Sequence, residues 1–150
     1  MLVSSKLPRY EGSDADFFAL LTKIVFCTGF TRAVVEKYWS GFEEAFLQFE
    51  LDRVAEFDEL IVEKLVSRDS HIIKNARKVR ATVENARVCL QLREHEITLA
   101  HFANQVLVQG HKDGSKVLQK TFHLIGESAS KVLFMELLNR SDTEVERCHN

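Results

Sequence analysis

Lys74, Arg77 and Lys78 stand around the start of a long helical pattern, directly after the polar turn Ser67-Arg68-Asp69-Ser70 and the pair Ile72-Ile73. That placement suits one kind of chemistry, the capture of a phosphate. The first N–H groups of a helix have no intrahelical acceptor, and phosphate oxygens accept from them. Cations beside such a start add charge without base preference, so the contact positions a nucleic-acid backbone rather than reading it. His71, Ile73 and Asn75 complete the turn, which makes His71, Ile73, Lys74, Asn75, Arg77 and Lys78 the candidate DNA-binding set; His71 can fix the turn or touch a phosphate. Charge gathers there. From Arg68 to Arg93 seven basic residues (Arg68, Lys74, Arg77, Lys78, Arg80, Arg87, Arg93) face two acidic ones (Asp69, Glu84), whereas Glu36–Glu63 holds nine acidic and two basic residues. On charge alone the simpler reading is a solvated helix face. The hairpin in front of the basic helix is what points to a polyanion held at one place.

The elements that must position this segment follow from the patterning. With 150 residues and a net charge of −2, the chain fits one domain with its own core, and any phosphate contact is local. Residues 1–13 are expected to form an arm, 14–140 a single helical domain and 141–150 a polar tail. One proline and six glycines force few turns, so helix is the expected state. Ser13 or Asp14 caps a helix over Asp16–Cys27 that Gly29 ends. Thr31 caps Arg32–Phe49, whose apolar line is Val35, Trp39, Phe42 and Phe46. A short helix is expected over Asp52–Phe57. Asp58 caps Glu59–Val66, with Leu60, Ile61 and Leu65 inward. The long helix runs from about Asn75 to Arg93 on Val79, Val83, Ala86 and Leu90. Glu96–Leu107, Ser115–Phe122 and Ser128–Leu138 follow, with a flexible turn between Gly110 and Gly114. The result is an all-α domain of roughly seven to nine short helices. Three cysteines without a CxxC pair exclude a disulfide framework or a cysteine-rich zinc module and point to a reducing, cytoplasmic setting. No apolar run suits a signal peptide or a membrane span.

The run HIIKNARKVRATVENARVCLQL resembles the corresponding segment of the DNA-3-methyladenine glycosylase I family, in which two isoleucines precede a basic helix carrying Asn-Ala-Arg. Here these are Ile72-Ile73 and Asn85-Ala86-Arg87. DFFALLTKIVFCTGF and GFEEAFLQFELDRVAEFDELIVEKLV upstream, and KTFHLIGESASKVLFMELL downstream, extend the resemblance in order from Asp14 to Leu138, with a gap before Ser115. It implies a helix-hairpin-helix DNA glycosylase scaffold acting in base-excision repair. It also implies that the partner is duplex DNA, that the damaged base is flipped into a pocket, and that its N-glycosidic bond is hydrolysed without a cofactor.

The same resemblance marks departures. The family's zinc clasp uses cysteine and histidine at both chain ends. Here the residues before Asp14 contain neither, and Cys148-His149 stands alone where zinc takes four ligands, so no metal is expected. The family's pocket glutamate falls on Ile24 and its pocket tryptophan on Arg32, and no carboxylate lies between Asp16 and Glu36. A cationic base would meet an apolar wall and a positive charge, so a neutral or anionic lesion fits better. Ile24, Arg32 and Ser128 are the candidate base pocket. Wider superfamily members place a carboxylate downstream of the hairpin. Of Glu94, Glu96, Asp113 and Glu127, only Glu127 opens a helix beside Gly126, which makes it the candidate catalytic residue; the helix dipole alone also favours an acid there. Ser128 equally suits a first-turn role, Trp39 suits core packing better than base stacking, and Cys27 reads as a small buried hydrophobe. His95, His101, His111 and His123 lack metal-ligand spacing. Two alternatives stand beside the glycosylase reading: a non-catalytic descendant that grips DNA or a protein partner, and a helical interaction module whose basic helix is only solvated.

Overall fold

The computed structural model describes residues 9–95 and 97–141, among which lie nine α-helices, one 3-10 helix and no strand. Most of the expected arm (1–8), Glu96 and the tail from 142 with its Cys148-His149 pair lie outside the described residues. No described helix is long and apolar enough to cross a membrane.

Helix α1 (Asp14–Cys27) is the central element. Ser13 caps it, its hydroxyl accepting from Asp16 N at 3.1 Å while the Asp16 carboxylate accepts from Ser13 N at 3.0 Å. This reciprocal cap satisfies two otherwise orphaned donors. Phe17, Phe18, Leu21, Ile24 and Val25 then bury around most of its girth. The single helix expected over Arg32–Phe49 is instead α2 (Arg32–Lys37), α3 (Trp39–Ala45) and a 3-10 turn, Leu47–Phe49. Leu47, Gln48 and Phe49 all have positive φ (54°, 59° and 60°), a costly conformation for residues with a Cβ. Ring packing explains the break. Trp39 stacks on Phe49 at 5.3 Å and Phe46 on Phe57 at 6.3 Å. In a straight helix residues 39 and 49 would stand about 15 Å apart, so the chain must fold back to bring the rings together.

Helices α4 (Leu51–Val54) and α5 (Glu59–Leu65) follow, the latter capped by Asp58, whose carboxylate accepts from Ile61 N. Val62 is the residue α5 buries. Leu60, expected inward, is 68 % exposed because the helix presents the other side to the core. Helix α6 (Ala76–Glu94) buries Val79, Val83, Ala86 and Cys89 at steps of three and four. Helices α7 (Leu99–Val108), α8 (Gly110–Thr121) and α9 (Glu127–Asn139) complete the fold. The glycines expected to bracket a flexible turn sit inside α8. Gly110 (φ +89°) turns the chain out of α7, and a Cβ on Gly114 would lie 2.4 Å from the Val106 carbonyl and 2.7 Å from the Phe134 ring. Gly114 is therefore a contact point for three helices, a role that its residue type alone does not reveal.

Candidate nucleic-acid interface and base cleft

The segment between α5 and α6 is braced on its carbonyl side. The Ser70 hydroxyl donates to Leu65 O. The Lys74 ammonium folds back to Ser70 O at 2.5 Å, Ser70 Oγ at 2.8 Å and Ile72 O at 3.1 Å. Ile72 is buried in the core. Gly41 of α3 lies so close that a Cβ there would stand 1.9 Å from the His71 carbonyl oxygen. The amide side is different. Among the described residues, the N–H groups of His71, Ile72, Ile73 and Lys74 donate to no internal acceptor, while Asn75 N reaches Ile73 O at 3.1 Å. Asn75 caps α6, its side chain accepting from Lys78 N.

Pairing sharpens the charge pattern. Arg80 grips Glu59 through two nitrogens. Arg87 pairs with Glu84 and donates to Ala55 O and Phe57 O, pinning the turn before α5. Arg93 lies 3.7 Å from Asp14 and 3.6 Å from Asp52. Arg68 and Arg77 are exposed and form no ion pair among the described residues. The basic run thus reduces to a patch at the hairpin: Arg68, Lys74 and Arg77, with His71 exposed beside them.

Lys78 departs from its expected phosphate contact. It is 8 % exposed, and its ammonium donates to Phe26 O at 3.3 Å and to Thr28 O, beneath the Phe30 ring at 4.9 Å. It caps the carbonyl end of α1, where the helix dipole favours a cation, although burial holds its pKa below the usual lysine range. Through Lys78 the start of the hairpin helix is tied to the end of α1.

At that end a cleft of about 400 Å³ opens between the last turn of α1, the loop before α9 and the first turns of α9. Ile24, Cys27, Leu124, Ala129 and Val132 make it apolar, and Thr28 and Ser128 contribute the polar side chains. Its loop is held from α6. Asn85, 1 % exposed, donates to His123 O at 3.1 Å and accepts from His123 N at 2.6 Å. So held, Leu124 (φ +56°) reaches the cleft wall. Gly29 (φ +83°) supplies the turn that ends the opposite wall. No carboxylate lines the cleft. Burial raises the Cys27 thiol pKa more than nearby cations lower it, so the thiol is neutral too.

Of the pocket residues expected from the sequence, Ile24 and Ser128 meet in this cleft and Arg32 does not line it. The Arg32 guanidinium is drawn to Glu136 on α9 at 2.7 Å and to Glu36 at 3.6 Å, so the positive charge expected inside the pocket is neutralised outside it. Glu127 lies between two lining residues, but its side chain is 75 % exposed and faces Lys131 at 3.8 Å. Sequence reasoning missed Phe30, an exposed aromatic directly after Gly29 and above Lys78, and it missed Gly41 behind the hairpin. Nothing in the residue pattern marks Gly41; the Gly29-Phe30 pair at a helix end was the available signal for the other.

The Arg32–Glu136 clasp carries a pH dependence. The Arg32 hydrogen bond, outweighing desolvation, lowers the Glu136 pKa below its unfolded value. Its stabilisation is therefore complete above the ordinary glutamate range, near about 4.3, and is lost as pH falls through the lowered folded value. Chemical denaturation between pH 7 and 3 should show this loss, and Glu136→Gln should remove it from the profile.

Residues 8–141 match the family model for methyladenine glycosylase. The chain belongs to the methyladenine glycosylase family. Solved structures agree on the fold. A crystal structure of 3-methyladenine DNA glycosylase I aligns with a TM-score of 0.77 at 21 % identity, covering 94 % of this chain and 88 % of that one. The enzyme from Staphylococcus aureus aligns at 0.75 and 19 % identity, covering 89 % and 80 %. A variant of such an enzyme in complex with 3-methyladenine aligns at 0.75 and 21 % identity, covering 90 % and 81 %. No curated protein sequence gives a significant match. The fold class expected from the sequence, an all-α glycosylase-like domain, is the one observed.

Proposed function

We propose that this protein grips duplex DNA at the hairpin, receives an everted base in the neighbouring cleft and hydrolyses the N-glycosidic bond of that base, acting in cytoplasmic, nucleoid-associated base-excision repair. The supporting observation is the juxtaposition of four amides without internal acceptors and a cationic patch with an apolar cleft, the two joined through Lys78. His71, Ile73, Lys74, Asn75 and Arg77 provide the backbone grip; Lys78 serves it by holding the helix start. Ile24 and Ser128 receive the base, and Phe30, directly after the lining residue Gly29, offers an exposed aromatic face.

The cleft chemistry limits the substrate. With neither a carboxylate nor a cation on its wall, it favours an uncharged planar base over a cationic one. Catalysis then rests on a base that leaves readily, or on Glu127 turning inward to activate water. The non-catalytic reading is favoured by one observation, the missing carboxylate, and retains the grip and the cleft. Duplexes carrying a panel of neutral and alkylated lesions separate these readings. Base release by the native protein is expected for at least one neutral lesion. Its abolition in Glu127→Gln assigns that residue water activation, and tight binding without release from any duplex selects the non-catalytic reading.

A further inference from the structure

Helix α8 carries a second row of cations, outside the basic run that ends at Arg93. Lys112, Lys116 and Lys120 recur every four residues, so they share one face of the helix. All three are exposed, while Gly114, Ser115 and Leu118 are buried on the other side. None of the three meets a carboxylate at ion-pair distance among the described residues, whereas Arg53, Arg80, Arg87 and Arg140 each hold one. The fold gains little from the row. Like charges four residues apart repel along a helix. Lys112 stands in the first turn, where the helix dipole disfavours a cation, and only Lys120, in the last turn, stands where the dipole favours one. Asp113, the one acid of α8, is exposed and pairs with none of them.

Position gives the row a use. Helix α8 ends at Thr121, and the chain passes through Phe122, buried in the core, into His123 and Leu124. Asn85 holds the exposed His123 by both its N–H and its C=O, and Leu124 lines the cleft at the end of α1. The hairpin reaches the same cleft at its other wall, through Lys78 and Thr28. One wall is therefore joined to the hairpin cations and the other to the helix that carries the lysine row. From Lys112 to Lys120 the helix rises about 12 Å. One DNA strand carries a phosphate about every 3.4 Å of axis, so the row matches about three or four consecutive phosphates.

We infer that the lysine row of α8 is a second track for the phosphate backbone, holding the duplex on the side of the cleft away from the hairpin. This rests on the reading that the protein binds duplex DNA, and it adds a contact surface outside both the hairpin and the cleft. Lys112→Gln and Lys116→Gln are combined in one variant. Arg53→Gln with Arg93→Gln removes the same charge where each cation faces a carboxylate. Anisotropy of a labelled duplex across a salt series reads binding, and urea denaturation reads stability. The lysine pair should lose about tenfold or more in affinity at low salt, with the salt slope flattened by about two. The arginine pair should stay within about twofold. The urea midpoint of the lysine pair should be unchanged or higher, because repulsion along α8 is relieved. Native affinity and slope in the lysine pair, or equal losses in both pairs, overturn the track, as does a lowered midpoint, which would give these lysines a structural role. If the lysine pair binds as the native protein does while Arg68→Glu with Arg77→Glu does not, the hairpin grip stands and the α8 track alone fails. No binding by the native protein at low salt overturns both.

Discussion

Replacing Arg68 and Arg77 together by glutamate is expected to weaken duplex DNA binding on the order of a hundredfold at low salt. Each charge-assisted contact to phosphate contributes about tenfold, and reversal adds repulsion. The plot of log affinity against log salt should flatten by about two, one for each phosphate contact removed. These two residues are chosen because both are exposed and neither is paired within the described structure. Arg93 provides the control. Its charge faces Asp14 and Asp52, so Arg93→Gln should leave DNA affinity within about twofold. Fluorescence anisotropy with a labelled duplex across a salt series measures all three proteins. Equal losses from Arg68, Arg77 and Arg93 would mean that total charge, not the hairpin, governs binding.

Asn85→Ala is expected to lower folding stability by about 3 kcal/mol. The alanine leaves the His123 N–H and C=O without the partners they have now, and the site is 1 % exposed. Asn85→Asp should cost nearly as much. A carboxylate still accepts from His123 N, but it loses the Nδ2 donor and sets a negative charge against the His123 carbonyl. Urea denaturation should show a lowered midpoint with an unchanged slope. The loss should extend to the proposed function, since Asn85 holds the loop that carries Leu124 and Gly126 to the cleft at the end of α1. A loss under about 1 kcal/mol would mean the loop is held by its apolar contacts instead.

Local chemistry was the legible part of this chain. Ser13, Thr31 and Asp58 announce helix starts because a capping side chain acts within three residues of itself. The hairpin before α6 could be read for the same reason, since Asn75 and the residues before it are consecutive. Long-range demands were not legible. The turn at Leu47–Phe49 that ends α3 folds the chain back to stack Trp39 on Phe49, and nothing in the amphipathic line of Arg32–Phe49 reveals it. Arg32 meets a partner 104 residues away, so its charge could be assigned to a pocket on sequence grounds although α9 neutralises it. Lys78 has the spacing of a phosphate ligand, but one turn of α6 carries it inward to the carbonyl end of α1. In sequence Asn85-Ala86-Arg87 is a point of resemblance only; in the packed structure Asn85 pins the cleft loop and Arg87 pins the turn before α5.

Amide hydrogen exchange, followed residue by residue in the free protein and with a duplex added at low salt, tests the hairpin grip most directly. The N–H groups from His71 to Lys74 should exchange fast in the free protein and become protected when DNA binds. Slow exchange in the absence of DNA, or no added protection with duplex bound, would contradict a phosphate backbone held by these amides.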